Sequence, residues 1–99
     1  MADNLNELIP GAMEGLDSIG ASIFEKSDLD PKTIELIILA YGIGKQCEGC
    51  INFHVKKLVD LGVTENEIAT VIGVGVLMGG GPGSSYGAKA LARYNELTK

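Results

Sequence analysis

The sequence contains no tryptophan and is poor in several residue types that carry chemistry. Of its 99 residues, two are cysteine, one is histidine, and 5% are aromatic. Two cysteines in a cytosolic chain indicate redox activity or metal binding rather than a structural disulfide. Basic residues are also few: eight against thirteen acidic ones, for a net charge of −5. Because nucleic acids require a basic face, this balance argues against a nucleic-acid partner.

Long apolar runs are absent as well. The longest, within residues 34–43 and 71–78, fall short of the ~18 apolar residues that span a bilayer. The N-terminus is acidic where a signal peptide would be basic. We therefore expect a cytoplasmic protein without a membrane partner. Its 45% apolar residues and mean hydropathy of +0.20 exceed what one small domain can bury, which predicts a homo-oligomer.

The hydrophobic spacing predicts an all-α fold of about five to six helices in a single domain over residues 1–99. A first amphipathic helix fills much of residues 4–25, and Pro10 and Gly11 indicate a start near residue 10. Asp30 and Pro31 open a second helix as N-cap and N1 residues. Gly42 and Gly44 end that helix.

Three further helices are expected in the C-terminal half. One begins around the two cysteines and runs to Leu61, with Gly62 after it. The next opens at a capping box, Thr64 to Glu67, and continues to about Met78. The glycine-rich stretch 79–83 breaks the chain, and Ser84 or Ser85 caps the last helix.

The segment from Cys47 to His54 holds both cysteines and the only histidine. Cys50 and His54 are four residues apart and share one helical face, and Leu58 and Leu61 continue it as an inward-facing stripe. Thiols at a helix N-terminus are favoured as thiolates by free N–H groups and the helix dipole. Since the thiolate is the nucleophile and His54 can accept its proton, the segment indicates thiol redox chemistry.

Other interpretations of these residues remain open at this point. The cysteines could be small buried residues and His54 a core histidine. Glu35 could complete a zinc site with Cys47, Cys50 and His54, although the second ligand pair typical of zinc motifs is absent. A c-type haem would need histidine directly after the second cysteine, where Ile51 stands. A thioredoxin-like fold would need βαβ units, which the pattern lacks.

The pattern Glu35-x11-Cys47-x2-Cys50-x3-His54 resembles the AhpD-like alkylhydroperoxidase branch of the carboxymuconolactone decarboxylase family. The stretch from Met78 to Pro82, followed by a helix with Tyr and Ala, is also similar to that family. The resemblance covers roughly residues 15–97. It implies an all-α domain that assembles into trimers or hexamers through helix packing, and a thiol-dependent peroxidase or disulfide reductase with no cofactor or metal.

The resemblance also implies roles for the four residues of the pattern. Cys50 would attack the peroxide and become a sulfenic acid, which Cys47 would resolve into a disulfide. Glu35 would accept a proton at the far end of a relay through His54 and a water. Substrates would be a hydroperoxide or a disulfide, recycled by an unidentified thiol reductant. Gly49 stands where the peroxidase branch often has a second histidine, which weakens the expectation of efficient peroxidase activity.

Two other function classes are carried as alternatives. One is a lyase acting on a lactone carboxylate, as the family name suggests, although members with that activity generally lack the complete dithiol. The other is a non-enzymatic module, either zinc-stabilised or an oligomeric binding protein.

Overall fold

A computed structural model describes residues 2–99, and the side chains from residue 4 onward. It contains five helices and, within that described range, no strand. The prediction of an all-α fold is therefore confirmed. The helices are α1 (Ala2–Leu8), α2 (Pro10–Lys26), α3 (Pro31–Gly44), α4 (Glu48–Asp60) and α5 (Glu65–Thr98).

The chain divides into two compact units, Met1–Asp30 and Pro31–Lys99. In the first unit the chain leaves helical geometry at Ile9, whose φ of −135° and ψ of 60° separate α1 from α2. The cause is Pro10, since a residue before proline is disfavoured in helical conformation. The predicted helix start near residue 10 is confirmed, but residues 2–8 form a separate helix. The assignment of one domain to the whole chain stays a prediction.

The second unit is a bundle of α3, α4 and α5, and each of these helices packs against the other two. Each fully buried aliphatic side chain in its core contributes about 1.5–3 kcal/mol relative to an exposed one. The side chains with 1% exposure or less are Leu39, Ile43, Ile51, Val55, Leu58, Ile68 and Ala90.

Local sequence signals define the ends of α3 and α4. Helix α3 begins at Pro31 and ends at Gly44, as predicted. Cys47 is the N-cap of α4, Leu61 is its C-cap, and Gly62 follows with a φ of +80°. Glycine fits this last position because a Cβ atom disfavours positive φ.

Helix α5 consists of two arms, residues 65–79 and 81–98, joined at Gly80. The φ of 61° and ψ of −136° at Gly80 are non-helical, in a region accessible essentially to glycine. The arms fold back on each other, since a Cβ at Gly87 would come within 2.6 Å of Ile72 Cγ2. The prediction that Ser84 or Ser85 caps the last helix is wrong: both lie within helical residues that resume directly after Gly80.

By length and composition, α5 is apolar enough to cross a membrane. The core helix of a soluble protein meets the same criterion, and two features of α5 agree with that explanation. The reversal at Gly80 means that the 34 residues do not form one straight rod. Both arms also place residues in the core of the bundle, including Ile68 and Ala90.

Candidate functional site

The two cysteines lie at the N-terminus of α4 and form a disulfide, with 5.3 Å between their Cα atoms. Cys47 is the N-cap residue, and its Sγ accepts a hydrogen bond from the backbone N–H of Cys50 at 3.3 Å. A sulfur in this position lies at the positive end of the helix dipole. Both cysteines are partly exposed, so a small molecule can reach the pair from solvent.

Glu35 of α3 and His54 of α4 are in direct contact across the two helices. The Nδ1 of His54 donates a hydrogen bond to Oε1 of Glu35 at 2.6 Å. The Glu35 side chain is 4% exposed and that of His54 is 21% exposed. A buried carboxylate is costly unless it is paired and hydrogen-bonded, and His54 provides that partner. No water is needed to join these two residues.

The hydrogen bond also determines which ring nitrogen of His54 is free. With the proton on Nδ1, directed at Glu35, the lone pair of the neutral imidazole is on Nε2. Cys50 precedes His54 by four residues on the same helix face. The arrangement can therefore take a proton from a thiol at Cys50 and stabilise the resulting imidazolium through Glu35.

A three-residue connection holds α4 against the end of α3. Gln46 has a φ of +57°, a left-handed conformation that costs a non-glycine residue about 1–2 kcal/mol. It directs the chain so that the N–H of Cys47 donates to the carbonyl of Gly42 at 3.0 Å. At Gly42, a Cβ would be 3.5 Å from Cys50 Cβ, so α3 approaches α4 closely beside the dithiol. No motif in the sequence indicates this role of Gln46, since a left-handed glutamine has no local sequence signal.

The reactive residues lie at the edge of the buried face of α4, not at its centre. The buried face consists of Ile51, Val55 and Leu58. Leu58 is buried as predicted, but Leu61 is 43% exposed. Leu61 is the C-cap residue, and its non-helical backbone (φ −91°, ψ 6°) takes it off the periodicity of the helix.

An exposed aromatic residue outside the predicted four-residue site contacts the histidine. The ring of Phe53 packs edge-on against His54, with 5.0 Å between centroids and an interplanar angle of 90°. The Nζ of Lys57 lies 5.2 Å from the centroid of the Phe53 ring. In the sequence, only the position of Phe53 could have indicated this contact: Phe53 stands next to the only histidine of the chain, and a lysine follows one turn later.

The geometry bears on the zinc alternative. Among the side chains of residues 4–99, no group of three or more His, Cys, Asp and Glu is arranged to hold a metal ion. In this oxidised form the cysteine sulfurs bond to each other, so neither is a thiolate, the form that binds zinc.

Gly49 lies in the first turn of α4, and a Cβ there would meet no atom within 4 Å.

Comparisons with known proteins agree with this architecture. The family model for the carboxymuconolactone decarboxylase family matches residues 10–93. A crystal structure of a carboxymuconolactone decarboxylase family protein from Legionella pneumophila superposes with a TM-score of 0.93 at 39% identity. The match covers 99% of this chain and 88% of the Legionella chain.

Two bacterial relatives extend the comparison, and both are described only as uncharacterised proteins. One, from Cupriavidus necator, is 31% identical over 93 residues, which is 94% of this chain and 82% of the relative. The other, from the cox locus of Paracoccus denitrificans, is 35% identical over 75 residues, covering 76% of this chain and 68% of the relative. The matches to sequence and structure extend over nearly all of the chain, which belongs to the carboxymuconolactone decarboxylase family.

Proposed function

We propose that the protein is an AhpD-like thiol-dependent peroxidase, a thiol-disulfide oxidoreductase that reduces hydroperoxides. The observation that carries this proposal is the 2.6 Å contact between His54 and the buried Glu35 of α3. His54 lies on α4, the helix that begins with the Cys47–Cys50 disulfide. A partly exposed dithiol beside an oriented base is the arrangement that activates a thiol nucleophile.

The reaction begins with the reduced pair. His54 accepts the proton of the Cys50 thiol, and the thiolate attacks the terminal oxygen of the hydroperoxide. The O–O bond breaks, Cys50 becomes a sulfenic acid, and the alkoxide leaves as an alcohol with the proton from His54. The Cys47 thiol then attacks the sulfenic sulfur, and water leaves as the disulfide forms. In total, one hydroperoxide and two thiols give one alcohol, one water and one disulfide.

The cycle is completed by a dithiol reductant, which reduces the disulfide and is itself oxidised. The same exchange with a disulfide substrate, run through a mixed disulfide, would make the protein a disulfide reductase. Both reactions use only the chain's own residues and the two substrates, and the proposal includes no cofactor or metal. Members of the family are generally soluble, and we propose a cytoplasmic location, where reduced thiols are maintained.

The proposal is tested by peroxide consumption with a dithiol reductant in excess. We expect Cys50→Ser and Cys47→Ser each to abolish turnover. After reduction and removal of the dithiol, Cys47→Ser should still consume one equivalent of peroxide and leave a sulfenic acid that mass spectrometry detects, whereas Cys50→Ser should not. Undiminished activity in the double serine variant would overturn the proposal, and the reverse pattern between the single variants would exchange the roles of the cysteines.

The other function classes make different predictions for the same preparation. A lyase would convert carboxymuconolactone at a rate that alkylation of both thiols leaves unchanged. A zinc-stabilised module would contain stoichiometric zinc after purification without chelator. The direct Glu35–His54 contact favours the thiol mechanism because it leaves Nε2 of His54 free to act on a proton.

The protein is also proposed to act as a homo-oligomer, a trimer or a hexamer. An open, mostly apolar groove runs between α3 and the first arm of α5. The exposed apolar residues that line it are Tyr41 (70%), Val74 (45%) and Met78 (81%). A contiguous apolar surface of this kind is typical of a subunit interface.

A further inference from the structure

The exposed surface of α4 beside His54 combines an aromatic ring and a free cation. Phe53 is 57% exposed and contacts His54 edge-on. The Nζ of Lys57 lies over the Phe53 ring, 5.2 Å from its centroid. Lys57 follows His54 by three residues and Phe53 by four, so all three side chains adjoin on one side of the helix.

Lys57 differs from its neighbour Lys56 in its partners. The Nζ of Lys56 binds both carboxylate oxygens of Asp60, at 3.0 and 2.9 Å. In the part of the chain that the structure describes, Lys57 forms no ion pair with a carboxylate. Asp60, the acidic residue nearest to Lys57 along α4, is thus engaged by Lys56. The charge of Lys57 remains available to a ligand.

The charge balance of the chain makes such a cation useful. Residues 1–30 contain seven acidic and one basic side chain, whereas residues 31–99 contain six acidic and seven basic ones. One of those six acids is Glu35, which is buried against His54. The unit that holds the dithiol is therefore nearly neutral in a chain of net charge −5, so no large background charge of this unit opposes the binding of an anion at Lys57.

From this geometry we propose that Phe53 and Lys57 select the substrate, favouring hydroperoxides that carry an apolar chain and a carboxylate. The inference rests on the proposed peroxidase function and deepens it. The apolar chain packs on the exposed face of Phe53, and the ammonium of Lys57 pairs with the carboxylate. The hydroperoxide then lies toward His54 and Cys50, one turn nearer the helix N-terminus. Phe53 and Lys57 are specificity-determining residues and take no part in bond making.

The charge contribution is tested with two organic hydroperoxides of matched chain length, one ending in a carboxylate and one in its methyl ester. We expect Lys57→Gln to lower kcat/KM for the carboxylate roughly three- to tenfold, the size of a partly screened charge interaction, with the ester unaffected. Lys56→Gln makes the same change one residue away, but it removes only the ion pair with Asp60. It should alter kcat/KM for neither hydroperoxide. A preference that Lys57→Gln leaves unchanged, or that both variants lower equally, would overturn the inference.

The apolar contribution is tested in the same assay. We expect Phe53→Ala to raise KM severalfold more for a long-chain hydroperoxide than for hydrogen peroxide, which has no chain to pack on the ring. Leu61→Ala is the control, because Leu61 is also an exposed apolar residue, but as the C-cap of α4 it lies at the C-terminal end of the helix, away from the dithiol. Equal effects of the two variants would overturn the role of Phe53.

A readout without turnover separates this inference from the proposed function. In a Cys47→Ser background, the single thiol of Cys50 is alkylated with iodoacetate, which is anionic, and with iodoacetamide, which is neutral. We expect Lys57→Gln to lower the ratio of the two rates roughly threefold or more, and Lys56→Gln to leave it unchanged. Absence of peroxide turnover in the wild-type protein would overturn the proposed function. A ratio that Lys57→Gln leaves unchanged would instead overturn the role of Lys57 in selecting anions, whether or not the protein is a peroxidase.

Discussion

At the scale of single residues, the Glu35–His54 pair is the feature with the greatest chemical consequence. Removing either side chain leaves the other with an unmet polar group, and for Glu35 that group is buried. The net worth of the pair to stability is modest because burial of the carboxylate offsets the attraction. Its value is in positioning, since it fixes the ring orientation and tautomer of His54.

We predict that His54→Gln lowers peroxide turnover about 10²–10⁴-fold, the usual contribution of a positioned general base. Glu35→Gln retains an oxygen that can accept from Nδ1, so we expect a smaller loss, roughly tenfold or more. The rate of Cys50 alkylation by iodoacetamide at neutral pH should fall in both variants, which separates thiol activation from later steps. If both variants alkylate at the wild-type rate, the pair has no part in thiol activation.

At the scale of elements, glycines determine how α5 folds back. Gly80 provides the non-helical turn. At Gly83, a Cβ would overlap the backbone carbonyl of Gly75, and at Gly87 one would lie 2.6 Å from Ile72 Cγ2. The two arms approach this closely because neither glycine has a side chain. The same absence at Gly75 lets Ile43 of α3 pack against the first arm.

We predict that Gly87→Ala destabilises the protein by about 1–3 kcal/mol, the usual cost of overpacking a core contact. Gly73→Ala is the matched control: Gly73 lies in the first arm, next to Ile72, but its Cβ would meet no atom within 4 Å. There alanine should stabilise the protein by up to about 1 kcal/mol. Thermal unfolding measures both, and a Gly87→Ala protein as stable as Gly73→Ala would contradict the close approach of the arms.

The capping box of α5 predicts a pH effect on stability. The pKa of Glu67 is lowered from its ordinary value of 4.5, first by the hydrogen bond from the backbone N–H of Thr64 and then by Lys32. A carboxyl with a lowered folded-state pKa stabilises the protein above its ordinary pKa. That contribution is lost as the pH falls through the lowered value.

We therefore expect Glu67→Gln, which retains the hydrogen-bonding oxygen but not the charge, to lower Tm at neutral pH. The difference from wild type should shrink as the pH falls below the ordinary value of 4.5 and through the lowered pKa of Glu67. Glu14→Gln removes a charge outside the cap and controls for the change in net charge. A Tm difference that is constant between pH 7 and pH 3 would exclude the charged cap as its cause.

At the scale of the whole molecule, exposed apolar surface is the main feature. Helix α2 buries none of its residues, although its sequence has an amphipathic spacing. The unit of residues 31–99 exposes the apolar groove between α3 and α5. Leaving both surfaces in water would be costly, and the proposed oligomer would cover them.

We predict that sedimentation equilibrium finds a mass three or six times that of the 10.4 kDa chain. Met78→Lys should reduce the assembly, because a lysine at the groove would be desolvated at an interface core. Asn66→Lys introduces the same charge at an exposed polar position of the same helix arm and should leave the mass unchanged. A monomer of the wild-type protein at micromolar concentration would contradict the prediction.

Much of this protein was predictable from the sequence, because the deciding interactions are local. Pro31, Gly62 and the Thr64–Glu67 capping box define helix ends through bonds within a few residues. The spacing of the cysteines and His54 on one helix follows from 3.6 residues per turn. The family was recognisable from the same residues together with Glu35, and the matching family model and structure confirm it.

Only the tertiary structure decided the rest, because it depends on contacts between residues distant in sequence. Glu35 and His54 are 19 residues apart, and their 2.6 Å contact exists because α3 and α4 pack closely at Gly42. The arms of α5 reverse at Gly80 because glycines of each arm pack closely against the other arm. This packing cannot be read from the local sequence, which is why the sequence predicts Ser84 or Ser85 as the cap of a separate helix. The sequence by itself determined the all-α fold, most of the helix ends and the placement of Cys47, Cys50 and His54 on one helix, whereas packing decided which side chains surround them.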